Sequence, residues 1–460
     1  MVCDKHMNLQ FDADSKSIFY KKLLSLVLPI AFQQFMTALV SASDAVMLGA
    51  ASQNLLSAAS LAGQVTFVYN LFLAAMTIGT GIFAAQYYGK GDMVSVGKIL
   101  AIVLKISTGV SFVFFTAALL IPRFLMRIFT SDLVLIDAGI TYLQIVSVTY
   151  LMCGISQIYL CIMKNCGRAF LSMVISSSAV VLNIVLNAIF IFGLAGIPAF
   201  GIAGAALATA VSRAVELVWT LCVMRKRGSV TISWTNLRHT DKILKKEFWK
   251  YTFPVLGNEL AWGCGFAMYS VIMGRLGTDA VAANSIANIA KNLIACFCLG
   301  IGSGGGIMVG NELGAGNLER AKNYGRKLCI MSVVSGAISG LLLLAVIPAI
   351  LYISNLSVQS SYYLKWMLAM CSYYMVGKSI NGTTIAGIFC AGGDSRFGFV
   401  CDTITLWCVT VPMGFIAAFV LHMPVLSVYF IMTLDEIVKL PAVYRHYKKY
   451  HWVKDLTQKG

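Results

Sequence analysis

About twelve stretches of this chain are apolar over some twenty residues or more, and nothing else in the sequence constrains the fold so tightly. A helix needs about 20 mainly apolar residues to cross a bilayer. Such stretches lie near 23–47, 55–86, 95–121, 135–163, 169–193 and 200–224, and again near 248–274, 280–310, 325–347, 360–390, 397–420 and 424–444. The segments between them are short and carry Gly, Pro, Asn or charge, as turns require. The predicted fold is all-α and integral to the membrane. Composition agrees, because hydrophobic residues make up 58% of the chain and charged residues 12%. A soluble domain usually carries about twice that charged fraction. A large soluble helical protein would also need polar linkers, and the sequence offers one only around Arg225–Lys250.

The basic residues fix an expected orientation. With the N-terminus inside, 27 of the 35 Lys and Arg residues fall on the inner side. Arg123, Arg127, Arg275 and Lys365 fall outside, and Lys105, Arg213, Lys291 and Lys378 within spans. Basic residues favour cytoplasmic loops. Both termini and the Arg225–Lys250 loop are therefore expected in the cytoplasm, with the chain multi-pass in the cell (plasma or inner) membrane. This count assigns Lys439 to the tail. The net charge of +16 borders the spans and forms no compact patch, so no nucleic-acid partner is expected. The 13 cysteines are scattered. Cys296 and Cys298 share an apolar helix, and the histidines do not cluster, so no metal site is expected. The first twenty residues are polar, so no cleavable signal is expected there.

The chain repeats itself. Pro29 and Pro254 are 225 residues apart, as are Gly49 and Gly274, Gly79 and Gly304, Gly81 and Gly306, Gly89 and Gly314, and Gly91 and Gly316. Later pairs slip by one: Pro122 with Pro348, Gly167 with Gly393, Pro198 with Pro424. Each half holds an even number of spans, so both halves enter from the same side. The expected architecture is two six-helix lobes related by a pseudo-two-fold along the membrane normal. The boundaries are an arm 1–22, a lobe 23–224, a loop 225–247, a lobe 248–444 and a tail 445–460. Repeats of this kind are common in transporters, which bind substrate between the repeats near mid-membrane.

Several stretches together resemble the multidrug and toxic compound extrusion family of cation-coupled exporters. They are Leu28-Pro29-Ile30-Ala31-Phe32-Gln33-Gln34 followed by Asp44 and Met47-Leu48-Gly49, then Gly79-Thr80-Gly81 and Gln86-Tyr87-Tyr88-Gly89-Lys90-Gly91-Asp92. Asn183 with Asn187, Gly201-Ile202-Ala203-Gly204-Ala205-Ala206-Leu207-Ala208-Thr209, Gly310-Asn311-Glu312-Leu313-Gly314 and the tail Trp452-Val453-Lys454-Asp455 complete the set. Pro254-Val255-Leu256-Gly257-Asn258-Glu259 with Trp262 is similar to a bacterial branch. The resemblance covers essentially the whole chain.

Gln34, Thr37, Ser41 and Asp44 are spaced 3, 4 and 3 apart, so they share one helical face. An ionisable group there costs about 2.5–3.5 kcal/mol on insertion scales. It should face a protein cavity, unless it sits near enough to the outer end to be solvated. The resemblance implies that Asp44 is a coupling site. Asn183 and Asn187, one turn apart, read either as its partners or as interhelical hydrogen-bonding groups. Family members often carry Asp at the second of these positions; Asn187 makes a sodium cage weaker and leaves a proton site intact. Thr209 joins the group by resemblance. In the second half Glu259, Lys291, Lys378 and Asp402 fall within spans, which suggests acid–base pairs, either static or remade between conformations. Arg213 and Glu216 read as a local salt bridge. Trp262, Phe266, Tyr269, Tyr373 and Tyr374 read either as a loosely selective cavity lining or as helix packing.

Motifs for enzymes fail. Gly377-Lys378-Ser379 has Ser372 where a P-loop needs Gly, and the Gly302–Gly306 run has no βαβ unit around it. No catalytic residue and no cofactor are expected. The expectation is a monomeric antiporter, set among membrane lipid, that takes H⁺, ahead of Na⁺, inward and moves an amphipathic, often cationic, small organic compound outward. A lipid-linked oligosaccharide or other metabolite flippase is the runner-up, and a polytopic receptor or channel the alternative from another class. A receptor gives no reason for duplicated halves, and no polar filter loop suggests a channel.

Overall fold

The computed structural model describes residues 2–194, 196, 198–226, 230, 241–354 and 356–459, and side chains from residue 17 to 458. Residues 227–229 and 231–240 of the inter-lobe loop lie outside these, so the expectation for 225–247 is only partly described.

The first half forms six spans. They are Ser17–Ala51 within a helix that begins at Val2, Gln53–Lys90, Met93–Leu120, Leu133–Asn165, Ala169–Phe192 and Ile202–Met224. The second half forms Lys242–Arg275, Thr278–Gly314, Leu318–Ile353, a tenth span Val358–Asn381 continued by a π-helical turn Gly382–Phe389, and an eleventh Ser395–Val420. The twelfth is broken into Val425–Met432, Asp435–Val438 and Leu440–Lys448. Among the described residues, nine helices are long and apolar enough to cross a membrane on composition alone. The seventh, tenth and twelfth spans carry charge and complete the twelve.

The distribution of side chains fits lipid as solvent. Phe112, Leu120, Phe253, Ile338, Leu341 and Val400 are large, apolar and exposed. In water such a surface would associate; in a bilayer it faces acyl chains. The helix contacts inside use small residues, which let backbones approach. Gly302 faces the Gly382 carbonyl, Gly306 faces the Gly387 backbone, and Gly304 packs on Val27. The glycine-rich run is thus a packing surface. Pro29 and Pro254 both lie inside helices at matching points of the first and seventh spans.

In the first lobe the fourth span packs on the second, third and sixth, and the fifth on the first and sixth; in the second lobe the tenth packs on the eighth and ninth. The first and second spans meet the eighth, and the second also meets the seventh. The lobes touch from Leu71 against Gly263 to the ends of the second and eighth spans. There the repeat shows directly. A methyl group on Gly89 would overlap the Asn311 carbonyl, and one on Gly314 would overlap the Gln86 carbonyl. Both pairs are repeat equivalents, so the two helices cross by the same contact made twice about the pseudo-two-fold.

Both terminal segments are more structured than the expected arm and tail. The first helix runs back to Val2. Lys22, on that helix, pairs with Glu312 at 3.3 Å, and Arg320 approaches the other oxygen at 3.7 Å. Trp452 is fully buried. The buried Gln86 amide donates to Ala391 O at 2.7 Å and Lys454 O at 3.2 Å, and its Oε1 accepts from Leu456 N at 2.7 Å. The tail therefore straps the first lobe to the second at the Gly89 end.

Candidate functional site

The fifth span is a strongly apolar helix with one polar stripe, and that stripe meets the first span. Asn187 Nδ2 donates to Asp44 Oδ1 at 2.6 Å and to Asn183 Oδ1 at 3.1 Å. Asn183 Nδ2 in turn donates to Thr209 Oγ1 at 3.3 Å, and Thr209 donates to Ala205 O at 3.0 Å. The four residues expected from the sequence thus form one hydrogen-bonded chain across the first, fifth and sixth spans. Asn183 and Asn187 are buried. Among the described residues, Asn187 Oδ1 has no hydrogen-bond donor. That orphaned acceptor lies on the amide that holds Asp44. A proton-bearing carboxyl, a hydronium or a small cation would supply what it lacks. The donor set is one carboxylate with neutral amide and hydroxyl groups. Close by on the sixth span, Arg213 Nη1 pairs with Glu216 Oε2 at 2.5 Å, and Gln157 donates to Glu216 Oε1 at 2.8 Å.

A cavity of 680 Å³ lies between the lobes. Gln34, Thr37 and Ser41 of the first span line one side of it, and Glu259, Trp262, Lys378 and Asp402 line the other. The polar face of the first span therefore serves two places: Asp44 turns toward the fifth span, and the residues below it border the cavity. Two expected lining residues lie elsewhere. Phe266 stacks on Trp262 with centroids 5.7 Å apart and supports it from behind. Lys291 rests 4.9 Å from the Tyr374 ring centroid, one residue away from the lining Asn292. Tyr269, Tyr373 and Tyr374 are packing residues. The Tyr269 hydroxyl donates to Thr410 Oγ1 at 2.8 Å, and Tyr373 meets Thr433 at 2.5 Å.

The charge network of the second lobe differs from the expected pairing. Asp402 does not pair with Lys291 or Lys378. Its partner is Lys439, at 2.8 Å, and Lys439 also holds Glu436 at 2.9 Å. Lys439 is thus no tail charge but a buried member of the twelfth span, with only 9% of its side chain exposed. Lys378 reaches the second Glu436 oxygen at 3.5 Å. Asn381 Nδ2 donates to Glu436 Oε2 at 2.8 Å. The physical reason is Gly377, where a Cβ would stand 2.9 Å from Glu436 Cβ. Its missing side chain lets the broken twelfth span press against the tenth. Glu259 makes no ion pair within 4 Å among the described residues; its charged neighbours are Lys378 and Asp402. Sequence reasoning missed Asp435, Glu436 and Lys439. Their signal was present, since two acids and a base at i, i+1 and i+4 interrupt the apolar run 424–444.

Two six-helix lobes, a shared polar cavity and a separate carboxylate cluster define a membrane transporter built on an internal repeat. The MatE family model matches residues 29–189 and again 254–416. The two matches start at Pro29 and Pro254, and this chain belongs to that family. It is 23% identical over 440 residues to the uncharacterized transporter YisQ of Bacillus subtilis, covering 94% of this chain and 95% of that protein. It is 24% identical over 429 residues to the probable multidrug resistance protein NorM of Thermotoga maritima, covering 91% and 90%. Among solved structures, a MOP superfamily transporter from Pyrococcus furiosus superposes with a TM-score of 0.85 at 17% identity, covering 94% and 95% of the two chains. The Vibrio cholerae MATE transporter VcmN gives 0.85 at 16%, covering 96% and 100%. At that identity the likeness is one of fold.

Proposed function

We propose that the chain is a secondary antiporter that exports amphipathic, often cationic, organic compounds in exchange for H⁺. It would work as a monomer in the cell membrane, with both termini in the cytoplasm, by rocking its lobes about the cavity. The observation that carries the reading is the Asp44–Asn187–Asn183–Thr209 chain with its orphaned Asn187 acceptor. A lone carboxylate with neutral partners changes charge when it takes a proton, and no second carboxylate in the cluster would hold Na⁺. Protonation removes the charge that Asn187 Nδ2 stabilises, so it alters how the first span packs on the fifth. A charge crossing the full potential is worth about 2.3 kcal/mol per 100 mV, enough to bias the cycle. The names of the NorM relatives point to drugs as cargo, and within a lining that also carries Lys164, Lys378 and Lys439, Trp262 and Glu259 on one helix offer an aromatic face and a carboxylate to an amphipathic cation.

The test is efflux of a fluorescent cationic dye from reconstituted vesicles under an imposed pH or Na⁺ gradient. Saturable efflux should follow the pH gradient. Asp44→Asn should insert at wild-type level, still bind dye and lose gradient coupling. Wild-type coupled efflux from Asp44→Asn would place the coupling carboxylate elsewhere, and efflux driven by Na⁺ alone would overturn the choice of ion.

A further inference from the structure

Lys378 holds an unusual place in the cavity wall. Its ammonium lies 5.4 Å from the Trp262 ring centroid. Cation–π attraction operates within about 6 Å of a centroid. Trp262 is fixed for this purpose, because Phe266 stacks on it with only 16° between the rings. Glu259, one helical turn before Trp262, lines the same wall. It has no ion-pair partner within 4 Å among the described residues, and Lys378 is one of its two charged neighbours. The cavity wall therefore presents an aromatic face with a primary ammonium already over it, and a carboxylate on the same helix.

Lys378 is not the sole cation on Glu436. Among the described residues its one ion pair is the 3.5 Å contact with Glu436. When Lys378 swings away, Glu436 Oε1 gives up that contact while Oε2 keeps Lys439 at 2.9 Å and Asn381 at 2.8 Å. The Lys378 side chain stays 24% exposed, and a lysine stem has four rotatable carbons with which to swing away. Two further groups on this wall await a donor: Asn258 Oδ1 and Asn381 Oδ1 are buried, line the cavity and have no hydrogen-bond partner among the described residues.

We propose that Lys378 is a tethered stand-in for the cargo's cation, holding the Trp262–Glu259 site until an organic ammonium displaces it. This rests on the reading of the cavity as the cargo site. A tethered ligand competes at an effective concentration in the millimolar range. It therefore weakens every cationic cargo, and it excludes small cations that lack enough apolar surface to win the exchange. Lys378 sets specificity, and Trp262 with Glu259 supplies the binding.

The test is equilibrium binding of 9-aminoacridine, a planar organic cation, to the detergent-purified full chain. Lys378→Met, which keeps the stem and removes the charge, should bind about threefold to tenfold more tightly than wild type. Lys378→Arg should show no gain, because a guanidinium keeps the ring occupied. Trp262→Leu should weaken binding, and Lys378→Met should then give little gain in the Trp262→Leu background. Lys378→Gln repeats the measurement if Lys378→Met does not fold. Unchanged or weaker binding in a folded Lys378→Met or Lys378→Gln, or an equal gain in Lys378→Arg, overturns the proposal while leaving the cavity as cargo site. Absence of 9-aminoacridine binding in every form overturns both.

Discussion

Replacing Gly89 with Ala tests whether the crossing of the second and eighth spans is the closed gate of the cavity. A Cβ at Gly89 would overlap the Asn311 carbonyl oxygen and stand 2.7 Å from Asn311 Cα. Packed carbons need about 3.5–4.0 Å, so the helices must part by about 1 Å there. Within its own helix the change is favourable, since Ala is a better helix former than Gly by roughly 0.5–1 kcal/mol. The strain therefore falls on the contact between lobes and not on the folding of either lobe. Overpacking of this kind costs about 1–3 kcal/mol. Applied to an equilibrium between two lobe arrangements, that is a shift of roughly 5–150-fold toward the one opened at the Gly89 end. The assay replaces the 13 native cysteines and places one at the cavity-lining Ser303. An impermeant maleimide is then applied from the Gly89 side of oriented vesicles. Labelling should accelerate in Gly89→Ala and in its repeat equivalent Gly314→Ala. Unchanged labelling in both, with unchanged thermal stability, would mean that the crossing yields without opening the cavity and is not its gate.

Two further outcomes are expected. Lys439→Met leaves Asp402 and Glu436 without their shared partner and should destabilise the protein by about 3–5 kcal/mol; Asp402→Asn added to it should recover part of the loss in a thermal-unfolding assay. Lys246→Cys should resist an impermeant thiol reagent applied outside intact cells, and efficient labelling there would reverse the orientation.

The fold was legible because its causes are local or periodic. Lipid demands long apolar runs, and duplication writes Pro29 again as Pro254 and Gly89 again as Gly314. The Asp44 cluster was legible in part for a related reason: Asp44, Asn183 and Asn187 are polar residues on otherwise strongly apolar spans, and i, i+4 spacing puts Asn183 and Asn187 on one face, whereas Thr209 was placed with them by the family resemblance. The charge network was read less well. Lys439 lies close enough to the chain's basic end to be counted with the tail, and only the break at Thr433–Leu434 in the twelfth span turns it inward. Distance along the chain also hid the choice of partner: Gly377 determines that Glu436 is within reach of Lys378, and nothing in the periodicity of either helix states this. Phe266 could be read as lining or as packing, and the structure selects packing: four positions from Trp262 it stacks on that ring and does not border the cavity.

The two halves share a repeat but not a chemistry. The offset of 225 sets Asp44 opposite Tyr269, and the later offset of 226 sets Thr209 opposite Asp435. At these two pairs of equivalent positions the first lobe has an acid on the first span and a hydroxyl on the sixth, and the second has a phenol on the seventh and an acid on the twelfth. The hydrogen-bond donor to Asp44 is a neutral amide, so its proton can come and go without breaking an ion pair. Asp402 and Glu436 are each held by Lys439 at 2.8 and 2.9 Å, and separating a buried pair of that kind costs about 3–5 kcal/mol. A proton gradient of ordinary size does work far more readily on the first arrangement than on the second. If the proposed proton coupling holds, two carboxylates can take a proton without breaking an ion pair, Asp44 with its amide donor and Glu259, which has no ion pair within 4 Å among the described residues, while the Lys439 pairs with Asp402 and Glu436 are suited to hold the wall between them in place.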